Sequence, residues 1–407
     1  MTNSRQTDDT FADAVKGLLL LAAYGDALGA PHERNGLAGK IRDPHDIGPL
    51  AMARAFHLPG ANGQPWNVWA DADAIPDVRS PMTDDTAFRL MLSQPWLATV
   101  VQEGRRFCEV DFTDWLRAAR HDGEPPGLPA GVWGSRREQI DGWLEMYSAA
   151  DEKGQSGFFK FGVPVVFGLF QFFDLGVLWV NEAPERVWRV FRPFCRLDQG
   201  YAGVVTGVMA TVLAHGTGKQ IAPEVLGTAF RESSAAILQR LIRYEESASD
   251  REHLRLMEDL LDEMWRFGVD HRRVSGYGFL SVLHDTLAHH PRAPFNAREP
   301  ALRSFDPLLF WMQIVACVAY SDQNPLEALG LLSSTSGDSD TVASVFGATL
   351  GAWSGFRQLK QMTASGTSLA SELQLVERTI KTLFGVDLAD RPVLFSKAKT
   401  LLPQSVE

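Results

Sequence analysis

Two four-residue stretches hold the side chains with the clearest chemical potential: Thr83-Asp84-Asp85-Thr86 near the front of the chain and Asp338-Ser339-Asp340-Thr341 near the back. Each crowds two carboxylates and at least one threonine hydroxyl into one turn, and each runs into an apolar-periodic segment that reads as a helix. Thr83 and Ser336 suit the N-cap, and acidic residues favour the positive end of a helix, so ordinary capping accounts for either stretch alone. It accounts poorly for the pair. If folding brings the two helix starts face to face, four carboxylates meet in one partly desolvated volume and repel strongly unless a cation sits among them. A donor set made only of carboxylates and hydroxyls suits a hard ion such as Mg²⁺, Mn²⁺ or Ca²⁺ rather than zinc.

The elements that must position these turns are legible from spacing. Phe11, Ala14, Val15, Leu18, Leu19, Ala22 and Ala23 recur with helical periodicity, predicting a first helix that ends near Gly25. Glycines 25 and 29 then present Asp26 and Glu33 from a loop. Ile41 to Pro81 contains prolines at 44, 49, 59, 65, 76 and 81, which no long helix tolerates, so it reads as an extended loop insertion. Its Trp66 and Trp69 either line a cleft mouth or anchor the loop to the core. A helix over 85–101 follows, kinked or ended by Pro95, then helices over 111–121, 136–149, 185–195, 199–214, 222–243, 251–267 and 275–289. The chain continues with helices over 306–320, 324–332, 341–356, 369–383 and 393–401. Glycines 347, 351 and 355, four apart, leave a strip against which another helix packs closely. No run alternates as a strand and no internal repeat is found. The expectation is one all-α domain over 1–407, an orthogonal helical bundle around a central metal-binding cleft, with the 41–81 loop inserted.

Several function classes are excluded or disfavoured. The formal charge of −11 argues against a nucleic-acid backbone as partner. Cys108, Cys195 and Cys317 are scattered and lack C-x-x-C spacing, so neither a disulfide framework nor a zinc site is indicated, and a reducing cytoplasm fits best. No secretory signal is evident at the start. Phe161 to Val180 is long and apolar enough to span a bilayer, but Asp174 lies within it and no Lys/Arg cluster flanks it, so it reads as a buried central helix. Gly216-Thr217-Gly218-Lys219 fails as a phosphate loop because residue 213 is Leu and residue 220 is Gln. His289-His290 lacks any H-E-x-x-H context.

A third motif, Gly25-Asp26-Ala27-Leu28-Gly29-Ala30-Pro31-His32-Glu33, makes the pattern specific. With Thr83 to Thr86, and with Gly337 to Thr341 leading into Gly347, Gly351 and Gly355, it resembles the ADP-ribosylglycohydrolase family in order and spread across roughly residues 10 to 360. That family includes the dinitrogenase-reductase-activating glycohydrolases and the ADP-ribosyl-acceptor hydrolases. The resemblance implies a centre of two Mg²⁺ or Mn²⁺ ions ligated by Thr83, Asp84, Asp85, Asp338, Asp340 and Thr341. It also implies hydrolysis of the bond between ADP-ribose, or a related ribosyl group, and a protein or small-molecule acceptor, with Glu33 and Asp338 as acid/base candidates. Two departures stand out. A glycine-rich loop followed by Met-Arg, associated with ADP-ribose contact in relatives, is here Gly154-Gln155-Ser156-Gly157 followed by Phe158-Phe159-Lys160-Phe161, so the family's contacts do not carry over at 158–161; Ser156 and Gly157 stay candidate substrate contacts, and Lys160 is either a cation facing phosphate or a solvated lysine at a helix start. A Thr-His pair of relatives is here Arg196-Leu197-Asp198. These departures keep a second reading open: an ADP-ribose-binding or immunity-type protein that retains the metal site.

Overall fold

The computed structural model describes residues 2–29, 85–86, 89–105, 114–115, 118, 173–194, 201–292, 306–335, 338–364 and 367–402. Outside the described residues lie Glu33, the 41–81 loop with Trp66 and Trp69, Thr83, Asp84, the 136–149 helix, Ser156, Gly157, Lys160 and the 196–198 departure.

Four helices form the centre: α1 (Thr2–Gly29), almost wholly buried from Phe11 on, and α4 (Tyr201–Gly216), α8 (Pro307–Ser321) and α10 (Ser339–Ser354), apolar on almost every side. Every residue of the last two is buried, as expected of helices lacking a polar face. Around them lie α2 (Gln94–Gln102), α3 (Pro184–Phe194), α5 (Pro223–Tyr244), α6 (Ala248–Asp270), α7 (Gly276–Ala288) and α9 (Pro325–Ser333). The short α11 (Phe356–Leu359), α12 (Leu369–Phe384) and α13 (Arg391–Thr400) close the chain. Of these outer helices α9 is buried at every residue but Glu327, while the amphipathic ones bury one stripe. In α6 it is Leu254, Met257, Leu260, Leu261, Met264 and Gly268, packed on α8. In α12 it is Leu369, Leu373, Val376, Ile380 and Phe384. Side-chain caps fix several helix starts: Ser247 accepts from the Asp250 amide (3.3 Å) at α6, Asp306 from the Leu308 amide (2.9 Å) at α8 and Asn324 from the Glu327 amide (3.2 Å) at α9.

Among the described residues the all-α expectation holds, apart from an antiparallel pair of two-residue strands, Thr363–Ala364 and Thr367–Ser368. Three local expectations are corrected. The first helix does not stop at Gly25 but continues to Gly29, so Asp26 stands on a helix rather than a loop. The break after the Thr83 motif falls before Pro95, as a π-helix over Arg89–Ser93, and Pro95 sits in the first turn of α2, where its missing N–H costs nothing. The described part of the 161–180 segment is a buried 3₁₀-helix, Phe173–Trp179. No helix of the described residues is long and apolar enough to cross a membrane.

The contact that positions the site is the antiparallel seam between α1 and α10, and glycine makes it possible. A Cβ on Gly347 would lie 2.2 Å from the Leu21 carbonyl oxygen, one on Gly351 2.2 Å from that of Gly17, and one on Gly25 2.3 Å from that of Ala343. The two backbones touch directly, one turn after another. At the far end of the seam Gly355, at φ 78°, ends α10, and the Asp13 carboxylate accepts from the Arg357 amide at 3.1 Å. This packing explains why Gly25 does not end the helix: burial against α10 outweighs its poor intrinsic propensity.

Candidate metal centre

Because α1 and α10 run antiparallel in close contact, the last turn of one lies beside the first turn of the other. A Cβ on Gly29 would come within 2.4 Å of the Asp340 Cα, and Ser339 Oγ donates to the Gly29 carbonyl at 2.9 Å. Asp26 and Asp340 therefore meet, and Asp85 completes the group: one carboxylate oxygen of each lies within 4.8 Å of the others, all three residues being buried. Asp338 is 5% exposed, against 0–1% for the triad, and takes the N-cap position of α10 in place of the expected Ser336, without capping through its side chain.

The three segments are tied across the site. Asp26 Oδ2 accepts from the Thr86 amide at 3.1 Å and from the Thr86 hydroxyl. Thr341 Oγ1 donates to Asp85 Oδ2 at 3.1 Å, and the Thr341 amide donates to Asp340 Oδ1 at 2.9 Å. Such bonds fix carboxylate orientation, as outer partners do around bound ions. These neutral donors orient the carboxylates without adding a positive charge. Asp340 gains from the positive start of α10, but Asp26 sits at the negative end of α1, where the helix dipole opposes an anion.

A buried cation stands beside this group. Arg89, 3% exposed, donates through Nε to Asp174 Oδ2 and through Nη1 to Ser344 Oγ at 2.5 Å. Burial would pull its pKa down, but Asp174 foremost, then Asp85 and Asp26, more than offset this and hold it above the usual arginine value. Burial pushes the Asp174 carboxyl above its ordinary range, and the Arg89 guanidinium opposes that.

Of the residues predicted from sequence, Asp85, Asp338, Asp340 and Thr341 gather around the α1/α10 seam. Thr83, Asp84, Glu33, Ser156, Gly157 and Lys160 lie outside the described residues. The site residues that sequence reasoning missed are Asp26 as a member of the carboxylate group, Thr86 as its hydrogen-bond donor, and the Arg89, Asp174 and Ser344 set. The available signal was a lone charge inside an apolar run: Asp26 within Leu18 to Leu28, Arg89 between Phe88 and Leu90, Asp174 between Phe173 and Leu175. Three convergent carboxylates with threonine hydroxyls form an oxygen-only donor set that fits a hard divalent cation. Away from the seam, His290 Nε2 pairs with Glu263 Oε1 at 3.0 Å, and His289 lies at the surface.

The family model described as ADP-ribosylglycohydrolase matches residues 7–389. No curated protein matches the chain.

Proposed function

The chain belongs to the ADP-ribosylglycohydrolase family, and from that premise we propose that it is a metal-dependent hydrolase cleaving the glycosidic bond between ADP-ribose, or a related ribosyl group, and an acceptor. The observation that carries this reading is the convergence of Asp26, Asp85 and Asp340 from three segments far apart in sequence into one buried group. We assign the ion-holding role to Asp26, Asp85, Asp340 and Thr341, with Thr83, Asp84 and Asp338 as further ligands of a two-ion Mg²⁺ or Mn²⁺ centre. When bound, such ions supply a template for ribose hydroxyls and a Lewis acid for the water nucleophile.

The chain's own residues do the rest. Water attacks the anomeric carbon as the bond to the acceptor breaks. Asp338, more exposed than Asp26, Asp85 and Asp340, takes the proton from that water. Glu33 is assigned to protonate the leaving acceptor. The buried anions stabilise the positive charge that develops on the sugar. Residues 1–407 act as one domain on an ADP-ribosylated protein or small molecule, in the cytoplasm.

The test is release of ADP-ribose from modified substrates with Mg²⁺ or Mn²⁺. Asp338→Asn should lower turnover by about 10²–10⁴-fold while leaving the far-ultraviolet spectrum and melting temperature near wild type; unchanged turnover removes Asp338 from this role. The replaced Met-Arg and Thr-His positions motivate the second reading, a binding protein without turnover. ADP-ribose binding by the wild type with no release from N- or O-linked substrates would favour it.

A further inference from the structure

The Arg89 guanidinium stands where it could neutralise the candidate metal site, yet it does not bond to it. It follows Asp85 by four residues, and the charges of Asp85 and Asp26 act on it. Its hydrogen bonds go elsewhere, to Asp174 and to Ser344. Its ion pair is with Asp174 alone among the described residues, both side chains being at least 96% buried. Ser344 lies one turn along α10 from Asp340. The guanidinium is therefore held from two sides, by the 3₁₀-helix and by α10.

We infer that Asp174 is a positioning residue that sequesters Arg89, keeping the guanidinium from pairing with Asp85 and Asp26 and so from competing with a divalent cation for them. The inference rests on reading the Asp26, Asp85 and Asp340 group as a cation site. Three physical points support it. A guanidinium pairs readily with a carboxylate, so an unrestrained Arg89 beside two buried aspartates would choose one of them. A buried ion pair is rarely kept for stability, because an apolar pair of similar volume is often as good. The planar fork of arginine, unlike a lysine ammonium, reaches Asp174 and Ser344 in two fixed directions at once. Arg89 thus softens the repulsion in the cluster from a distance, while Asp174 prevents it from competing for the site.

The experiment is Mn²⁺ binding by the full chain, followed by electron paramagnetic resonance or calorimetry well below the melting temperature. Asp174→Asn should weaken binding by on the order of tenfold or more, because Arg89 turns to Asp85. Adding Arg89→Met in that background removes the competitor and should restore binding to near wild type. A merely structural pair is non-additive as well, so the melting temperature is measured beside the affinity: a removed restraint lowers Mn²⁺ binding out of proportion to stability, whereas a structural pair lowers and restores both together. If the wild type binds Mn²⁺ and Asp174→Asn binds it equally well, or if the double variant is no tighter than the single one, the inference is overturned and the metal site stands. If the wild type binds no Mn²⁺, the site reading falls and takes the inference with it. Should Asp174→Asn fail to fold, Ser344→Ala removes the other restraint without leaving a buried charge. It too must weaken Mn²⁺ binding, and unchanged affinity there overturns the inference.

Discussion

Gly25→Ala is the sharpest probe of how the α1/α10 seam creates the site. The added Cβ would lie 2.3 Å from the Ala343 carbonyl oxygen, 2.5 Å from its carbon and 2.9 Å from the Ser344 nitrogen, whereas ordinary contact begins at 3.4 Å. The helices must separate locally by about 1 Å, and the obstacle is backbone, which has no rotamer to change. The similar contacts at Gly17, Gly29, Gly347 and Gly351 hold the rest of the seam in place. Overpacking of this kind costs ~1–3 kcal/mol, with the rigid backbone contact favouring the upper end. Replacing a helical glycine returns ~1 kcal/mol of propensity. A net loss of about 1–2 kcal/mol is expected, read as a lowered denaturant midpoint. Function should suffer more than stability. Asp26 is the next residue, Asp340 lies across the seam, and functional geometry tolerates displacements of only about 0.5 Å. Mn²⁺ affinity should therefore fall on the order of tenfold. Gly351→Ala imposes an equivalent clash at the other end of the seam and should cost similar stability with a smaller loss of affinity. A Gly25→Ala protein with wild-type stability and wild-type Mn²⁺ affinity would refute the claim that direct backbone contact sets the carboxylate geometry.

Two further outcomes follow from the same structure. Saturating Mn²⁺ or Mg²⁺ should raise the melting temperature, the stabilisation reaching ~2.7 kcal/mol at a hundredfold excess over the dissociation constant; chelator should reverse it, and Asp85→Asn or Asp340→Asn should abolish it. His284, half-buried with no partner for Nε2 among the described residues, has its pKa lowered chiefly by burial. The unfolded chain then binds a proton that the folded one refuses, so its contribution to stability is full above the ordinary histidine pKa of about 6.5 and is lost as pH falls below that value. His284→Gln should flatten the drop in urea midpoint between pH 7.5 and 5.5, and an unaltered slope would assign the acid sensitivity to other groups.

Sequence periodicity located most helices within a few residues, because the outer helices carry a clear apolar stripe bounded by polar caps. The 251–267 expectation against Ala248–Asp270, and 369–383 against Leu369–Phe384, are typical. Central helices such as α8 have no polar face to mark their orientation, so periodicity gave their extent but not their neighbours. The glycine strip of α10 announced that a helix would approach closely; that α1 is the partner follows only from the matching glycines at 17, 25 and 29.

The site was half legible for a related reason. Local rules read Gly25 as a helix end, which moved Asp26 into a loop and out of the carboxylate group. Tertiary contact decides otherwise: a glycine pressed against another backbone is kept inside a helix for the space it leaves. Once α1 runs on to Gly29, Asp26 lies on the helix face that carries Gly25 and Gly29, and that face meets the first turn of α10. The same residues that permit the close approach thus deliver the third carboxylate, and any sequence argument that treats the glycines as breakers loses both. Arg89 and Asp174 are hidden for the converse reason. Each is a lone charge in an apolar stretch, separately unremarkable, and their meaning lies in the pairing of positions 85 residues apart. Acidic turns can be found by inspection, whereas the countercharge held beside them is a property of the folded chain.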